Sequence, residues 1–442
     1  MLEPQNQWIE GNTVNMPASS HFRLCEFIDV IGQRCARRAL EANPRCIHHF
    51  EHKDQVSPPI NYLHALQDLL NEGDGTWRGF IFPRDFLLKS ITTATVIDAR
   101  GSKWPGSFEI SGCSFEGSID LTGGVIGSTF RVTASTFIKG LTAQQFNFQG
   151  DVWWTSEVTG DADFSWSVFA ARADFSGTFT GPASFQRCSF GDVTRFTGSW
   201  HAAFTPGGPP RLDEPCELFK CGATFEGVDF KRPDRVTFIN VDLTQVRMSD
   251  ADFTGVSFVG VRWPRIGTRR GLFDEIWARG AGIAPELWLP RLESSYRNIR
   301  VAIEATKDFN TASDFYVGEM EARRNRLGWW RAHIFSIPAA YRILSGYGCD
   351  PTRAFLALLL FCLFYGIYWG VATYGFGTFL PTLNTIRLSI RQTVFIFPVL
   401  RPEVGVEEIR GWAMVIGSLL RIAILTQLAL FILSLRGRIK RG

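Results

Sequence analysis

Large apolar residues recur at every fifth position in the middle of the chain, and a smaller apolar residue precedes each of them by two positions. Side chains alternate in a strand and repeat about every 3.6 residues in a helix, so neither sustains a period of five. A square coil does, because each side takes five residues and points one large and one small side chain inward. The large members of the series are Leu243, Met248, Phe253, Phe258 and Trp263.

The same pattern continues upstream in a looser form, through triplets such as Ala162-Asp163-Phe164 and Ala183-Ser184-Phe185. Stacked coils would hydrogen-bond to each other at about 4.8 Å, as neighbouring strands do, and would bury a continuous apolar ladder. A run rich in Pro and Gly interrupts the period, and we predict a loop over residues 205–218. The pattern leaves one alternative open, a β-sandwich rich in phenylalanine.

These residues resemble the pentapeptide-repeat family over residues 101–263. The resemblance implies a right-handed quadrilateral β-helix, a solenoid whose phenylalanines form the core and not an active site. Some members of that family imitate the charge and diameter of DNA to occupy topoisomerases, a role that needs a markedly acidic surface. Residues 101–263 hold 13 Lys/Arg against 18 Asp/Glu, and this mild excess does not favour that role.

After the repeats the apolar spacing becomes helical, and we predict a cytosolic helical hairpin and an interfacial helix over residues 264–345. Short segments in this region, such as Tyr296-Arg297 and residues 318–323, resemble a group of pentapeptide-repeat membrane proteins. The apolar positions at helical spacing are Leu292, Tyr296, Ile299, Ala302, Ile303, Phe309, Ala312, Phe315, Tyr316 and Met320.

Two long apolar runs in residues 346–442 predict a transmembrane hairpin. Residues 354–374 and 412–435 are each long enough to cross a hydrocarbon core of about 30 Å. The first run has no charged residue, whereas the second contains Arg421 and Gln427. The predicted fold class is therefore mixed and multidomain: a quadrilateral β-helix, then a helical hairpin, then a two-helix transmembrane region.

The segment between the two runs, residues 382–397, is too apolar for an ordinary loop and too short and charged to cross a bilayer. We predict a re-entrant or interfacial helix there. The order of span, re-entrant helix and span resembles the pore module of two-helix cation channels. Residues 397–402 lack the Gly-Tyr-Gly carbonyl filter of potassium channels, so potassium selectivity is not predicted.

Three polar residues in the predicted membrane region are candidates for lining a pore: Arg391, Arg421 and Gln427. For Arg421 a second interpretation stays open, because its long side chain is within reach of the outer membrane interface. The final third of the chain is basic, with 23 Lys/Arg against 13 Asp/Glu in residues 264–442. The positive charges flank the two runs, which predicts a bacterial inner (plasma) membrane protein with both termini in the cytoplasm.

The N-terminal region predicts a small metal site. We expect residues 1–20 to be disordered and residues 21–54 to form a Cys3His zinc knuckle, since three thiolates and one imidazole complete a tetrahedral set. The alternative is three unrelated cysteines beside an exposed pair of histidines. A linker helix and a solenoid cap are expected over residues 55–100. The predicted zinc ligands are Cys25, Cys35, Cys46 and His49.

The sequence contains no P-loop, dinucleotide fingerprint or nucleophile elbow, so an enzyme is not predicted. The opening residues also lack the basic and apolar regions of a signal peptide, which places the N-terminal two-thirds in the cytoplasm. The leading hypothesis is a membrane scaffold or sensor, and the alternative is a channel-like oligomeric pore. The expected partners are the lipid bilayer, an unidentified cytosolic protein and further copies of the chain, but not nucleic acid.

Overall fold

The computed structural model describes residues 24–28, 33–37, 46, 48–49, 66, 68–198, 218–326, 336–374 and 412–439. These residues form a parallel β-solenoid of about seven turns, followed by helices of which the last two are apolar. The predicted fold class, a β-helix followed by helices, is therefore confirmed, and the alternative of a β-sandwich is wrong.

Each turn of the solenoid has four sides, and equivalent sides of successive turns pair in parallel. An 11-stranded sheet bends through the first two sides. Its strands are Phe86–Lys89, Thr92–Thr93, Phe108–Ser111, Ser114–Phe115, Phe130–Phe137, Val152–Val158, Ala173–Phe175, Thr178–Phe179, Thr194–Thr197, Val236–Ile239 and Ser257–Val259.

The third and fourth sides are separate parallel sheets of very short strands. The 7-stranded sheet of the third side consists of Ile97–Asp98, Ile119–Asp120, Leu141–Thr142, Ala162–Asp163, Ala183–Ser184, Ala223–Thr224 and Val246–Arg247. The 6-stranded sheet of the fourth side consists of Lys103–Trp104, Val125–Ile126, Asn147–Phe148, Val168–Phe169, Ser189–Phe190 and Asp229–Phe230. An antiparallel pair, Arg265–Ile266 and Arg269–Arg270, follows the last turn.

The number of residues in a turn varies along the chain. Phe86 pairs with Phe108 and Phe108 pairs with Phe130, whereas Thr237 pairs with Ser257. Two paired residues are one turn apart, so the difference between their residue numbers is the number of residues in that turn. By this measure the last turn is two residues shorter than the first turns. Among the described turns, only the last therefore has four sides of five residues. This explains why the five-residue period is regular near the C-terminal end of the solenoid and difficult to follow upstream.

In the longer turns, the additional residues lie at two of the four corners. The inward side chains of one such turn are spaced five, six, five and six positions apart, and they are Ile110, Phe115, Leu121, Ile126 and Val132. Glycine occupies both of the longer corners because the previous turn comes very close. A Cβ on Gly117 would lie 2.3 Å from the carbonyl oxygen of Thr95, and one on Gly127 would lie 2.5 Å from that of Pro105.

Stacked aromatic rings fill the interior. Phe148, Phe169 and Phe190 stack with successive ring centroids 4.7 Å apart, which matches the spacing of hydrogen-bonded strands. Leu243, Met248 and Phe253 are buried as predicted, and Phe258 is half-buried against the same core. These phenylalanines are thus part of the packing of the solenoid.

The predicted loop over residues 205–218 lies outside the described residues except for Leu218, and so does the predicted disordered segment, residues 1–20. The ladder continues across the loop, because Thr194 pairs with Val236 and Phe179 pairs with Phe219. At the other end, pairing begins before residue 101, since Thr76 bridges to Asp98.

Six helices are described beyond the repeats. They are α1 (Phe273–Gly280), α2 (Pro285–Ala305), α3 (Phe309–Asn325), α4 (Ile337–Ser345), α5 (Pro351–Tyr374) and α6 (Trp412–Ile439). Helices α2 and α3 form the predicted hairpin, with Lys307 in the left-handed region and Asp308 capping α3 through the amide of Thr311. Their inward residues Tyr296, Ile299 and Phe315 are buried and continue the solenoid core.

Candidate functional site

The N-terminal cysteines are brought together by a short hairpin. The amide of Cys25 donates to the carbonyl of Arg37, and the amide of Cys35 donates to the carbonyl of Phe27. The amide of Cys46 donates to Cys25 Sγ at 3.2 Å, a contact that stabilises a thiolate. These backbone contacts hold three sulfur atoms on one side of the hairpin.

Four potential ligand atoms meet at this point: the Sγ atoms of Cys25, Cys35 and Cys46 and the Nδ1 atom of His49, all within 4.8 Å of one another. His49 Nδ1 lies 3.1 Å from Cys46 Sγ and 3.5 Å from Cys25 Sγ, and Cys35 Sγ lies 4.0 Å from Cys46 Sγ. A tetrahedral zinc ion with Zn–S distances of about 2.3 Å places its sulfurs about 3.8 Å apart. The four predicted residues therefore can hold a metal ion.

The ring of His49 is fixed from its far side. Its Nε2 atom lies 2.9 Å from the carbonyl oxygen of Arg78, so this nitrogen carries the proton and Nδ1 presents its lone pair to the cysteines. Phe27 stacks on the ring at 3.9 Å. His48 points elsewhere and stacks on Phe80 at 4.4 Å, so His49 is the histidine of the cluster.

The pKa values of two thiols in the cluster are shifted in opposite directions. A hydrogen bond from Cys46 lowers the pKa of Cys35 to about 3, because it stabilises the thiolate. The same hydrogen bond, together with burial, raises the pKa of the Cys46 thiol. Burial lowers the pKa of His48 to about 3, so that its ring is neutral at physiological pH.

The cluster is attached to the first turn of the solenoid. The amide of Ile81 donates to the carbonyl of His48 at 2.7 Å. Arg37 donates to the carbonyl oxygen of Thr76 at 2.7 Å and forms an ion pair with Asp74 at 2.8 Å. A solenoid exposes unpaired strand groups at each end, and these contacts cover part of the N-terminal end.

A single carboxylate covers part of the opposite end. Asp274, at the start of α1, accepts the amides of Met248 at 2.9 Å and Ser249 at 3.0 Å. Its side chain is buried, and burial raises its pKa while the two amides act in the opposite direction. This contact was not predicted from the sequence. The available signal was an acidic residue shortly after the last repeat, where strand amides have no further turn to pair with.

A buried polar network lies behind this cap, and its side chains are hydrogen-bonded to one another. Tyr296 donates its hydroxyl to Glu275 at 2.6 Å, and Arg269 donates to both Glu275 and the Tyr296 oxygen. The amide of Leu272 donates to the same oxygen at 3.1 Å. Burial raises the pKa of Tyr296. With its groups paired in this way, the network is suited to holding α1 and α2 on the solenoid, and not to proton transfer.

Helices α5 and α6 contain the segments that are long and apolar enough to cross a membrane, Pro351–Tyr368 and Val415–Arg436. They pack through Leu358, Tyr365 and Ile424, yet only 28% and 17% of the two segments are buried. A core helix of a soluble protein is mostly buried, so these faces need another apolar environment. The exposed large residues are Phe355, Leu356, Leu359, Leu360, Leu363, Phe364, Val415, Ile416, Leu419, Ile422, Ile432, Leu433 and Leu435.

The predicted polar residues of this region are in different surroundings. Gln427 is buried and donates from Nε2 to the carbonyl oxygens of Leu344 at 2.9 Å and Ala354 at 2.8 Å. One amide of α6 thereby holds the end of α4 and the start of α5. Arg421 has an exposed side chain. Arg391 and the predicted re-entrant segment 382–397 lie outside the described residues.

Comparison with known families supports the repeat. A family model described as pentapeptide repeats (8 copies) matches residues 234–262. This segment contains the pairing of Thr237 with Ser257, which marks the shortest of the described turns, with five residues on every side. No curated protein and no solved structure matches the chain.

Proposed function

We propose that this protein is a non-enzymatic scaffold whose cytosolic solenoid is anchored in a bilayer by α5 and α6. The observation that carries the proposal is the large apolar surface that these helices expose, whereas the apolar side chains of the solenoid are buried in its core. Helix α4 adds Ile337, which is 87% exposed, and Ile343, which is 61% exposed, directly before α5. Such a helix suits the membrane interface.

The charges around the two helices support one orientation. Arg342 and Arg353 lie near the start of α5, and Arg436, Arg438, Lys440 and Arg441 follow the apolar part of α6. Positive residues stay on the cytoplasmic side, so both termini are cytoplasmic and the segment between the helices is exterior. The membrane is then the inner, or plasma, membrane of a bacterial cell.

The cluster of Cys25, Cys35, Cys46 and His49 serves, in this proposal, as a closed zinc site with a structural role. Four protein ligands leave no open position for a substrate or an activated water. Its contacts with Thr76 and Ile81 make the metal part of the end cap. The outer surface of the solenoid is left to bind a cytosolic protein, and further copies of the chain assemble through the exposed faces of α5 and α6.

Topology reporters test the anchor. A reporter fused after Gly442 should be active in the cytoplasm, and one inserted at Gly405 should be active outside, because the arginines fix the orientation. Alkaline carbonate should leave the full-length protein in the membrane pellet. Cytoplasmic activity at Gly405, or release by carbonate, would contradict a two-span anchor.

A matched pair of measurements separates the scaffold from the channel-like alternative. Purified full-length protein in planar bilayers should pass no current, and its mass in detergent should report the number of subunits. A conducting ring of four or more subunits would favour the pore over the scaffold.

A further inference from the structure

A cleft opens between the last solenoid turn and the beginning of α3. Its volume is about 540 Å³, within the range of sites for small organic ligands. Phe258 and Trp263 form its apolar floor, and the rim carries Arg262, Arg265, Arg270 and Asp308. The cleft contains none of the predicted site residues and does not involve α5 or α6.

Three guanidinium groups and the carboxylate of Asp308 line this rim, and the carboxylates of Asp242 and Asp314 lie beside them. Arg262 forms an ion pair with Asp242 at 3.2 Å, and Arg270 donates to the hydroxyl of Thr311. Asp308 is engaged as the cap of α3, where it accepts the amide of Thr311. Arg265 has an exposed side chain without a hydrogen bond or ion pair to any residue that the structure describes. Arg265 is therefore the arginine of this rim that is left to bind an anion.

The antiparallel pair that follows the solenoid brings two positive charges together, which destabilises it when no ligand is bound. Arg265 and Arg270 are register partners, so their side chains project from the same face. Like charges directly opposite each other on two strands destabilise the pair. An anion held between the two guanidinium groups would remove the repulsion, and their planar forks match the oxygens of a phosphate.

We propose that this cleft binds a nucleotide, with its phosphates between Arg265 and Arg270 and its base against Phe258 and Trp263. The arginines of the cleft fit the phosphates of a nucleotide, and its aromatic floor fits the base. A phosphate alone would leave this floor uncovered. The proposal does not depend on the membrane anchor, since the cleft is built entirely from the solenoid end and the α2–α3 hairpin.

Isothermal titration of full-length protein in detergent tests the site, with ADP, adenosine and inorganic phosphate as probes. ADP should bind with a dissociation constant below about 1 mM and should bind more tightly than either fragment. Arg265→Glu should weaken ADP binding by at least about tenfold, and Arg265→Lys should retain part of the affinity. Raising the salt concentration should weaken binding, because exposed charges are screened.

Arg195→Glu is the matched control, since Arg195 is an exposed arginine on the first side of the solenoid and does not line the cleft. Its affinity for ADP should equal that of the unaltered protein, and neither variant should melt below the temperature of the unaltered protein. The proposal is overturned if ADP fails to bind at millimolar concentration, or if Arg265→Glu binds it normally. Equal affinity for inorganic phosphate and ADP would also overturn it.

Discussion

At the scale of single residues, the neighbours of His49 fix the orientation of its ring towards the three sulfur atoms. Its Nε2 atom is held by the carbonyl of Arg78, and its ring is stacked by Phe27, so the nitrogen facing the sulfurs is settled without a metal. Gly79 makes this possible, because a Cβ there would lie 2.1 Å from Phe27 Cζ. The ligand geometry therefore depends on residues of the first solenoid turn.

The first residue-scale prediction concerns metal content. Full-length protein should contain about one zinc per chain, and Cys35→Ser combined with Cys46→Ser should reduce this to near zero, since two of four ligands are lost. Elemental analysis of the purified protein measures it. Cys221→Ser is the control, because this cysteine is exposed and lies outside the cluster. Unchanged zinc in the double variant would show that the metal is bound elsewhere.

At the scale of elements, the stability of the solenoid depends on its last turn as well as on its core. The amides of Met248 and Ser249 have no further turn to pair with, and Asp274 takes the place of that turn. An unpaired buried amide costs free energy comparable to a lost hydrogen bond. Asp274 is thus one of the contacts by which α1 stabilises the fold, together with the network around Glu275.

Replacement of Asp274 tests this contact. Asp274→Ala should lower the free energy of unfolding by about 1–3 kcal/mol, because two donors lose their acceptor. Asp274→Asn, which keeps one acceptor oxygen, should lower it less. Thermal melting followed by circular dichroism measures both variants. Asp252→Ala should have a much smaller effect, since Asp252 is exposed and caps only its neighbour Thr254. Equal loss from Asp274 and Asp252 would refute the cap.

The repeat, the helical hairpin and the four clustered residues follow from the sequence because each has a local pattern. The five-residue period identifies inward residues from Leu243 onward, where no corner carries an additional residue. Upstream, an additional residue at corners such as the one at Gly117 displaces the following inward residues by one position, so they no longer recur at every fifth residue. The contacts of the cluster with Arg78 and Ile81 could not be predicted, because they join segments far apart in the chain without any repeating signal.

At the scale of the whole molecule, a chain of contacts connects the solenoid to the apolar helices. Trp263 packs against Phe315 of α3 at 4.8 Å, and Glu321 of α3 pairs with Arg342 of α4 at 2.8 Å. Gln427 of α6 then binds the carbonyl of Leu344, in the last turn of α4. Each step joins consecutive structural units, so α4 connects the solenoid and the α2–α3 hairpin to α6.

Gln427→Leu should loosen this junction. The change leaves the carbonyls of Leu344 and Ala354 without their donor, at a cost of about 1–3 kcal/mol. Hydrogen exchange in residues 337–350 should become faster while exchange in the solenoid stays the same. Thr426→Leu is the control, because Thr426 is exposed and bonds only within α6. Exchange rates in residues 337–350 that match those of the unaltered protein would argue against the junction.

The varying number of residues per turn leaves one dimension of the solenoid unchanged. Successive turns are separated by the spacing of hydrogen-bonded strands, about 4.8 Å, whatever the number of residues in the perimeter. About seven turns therefore set the two end caps roughly 30 Å apart. Residues added at a corner therefore change the perimeter of the solenoid, and only a whole added turn changes its length.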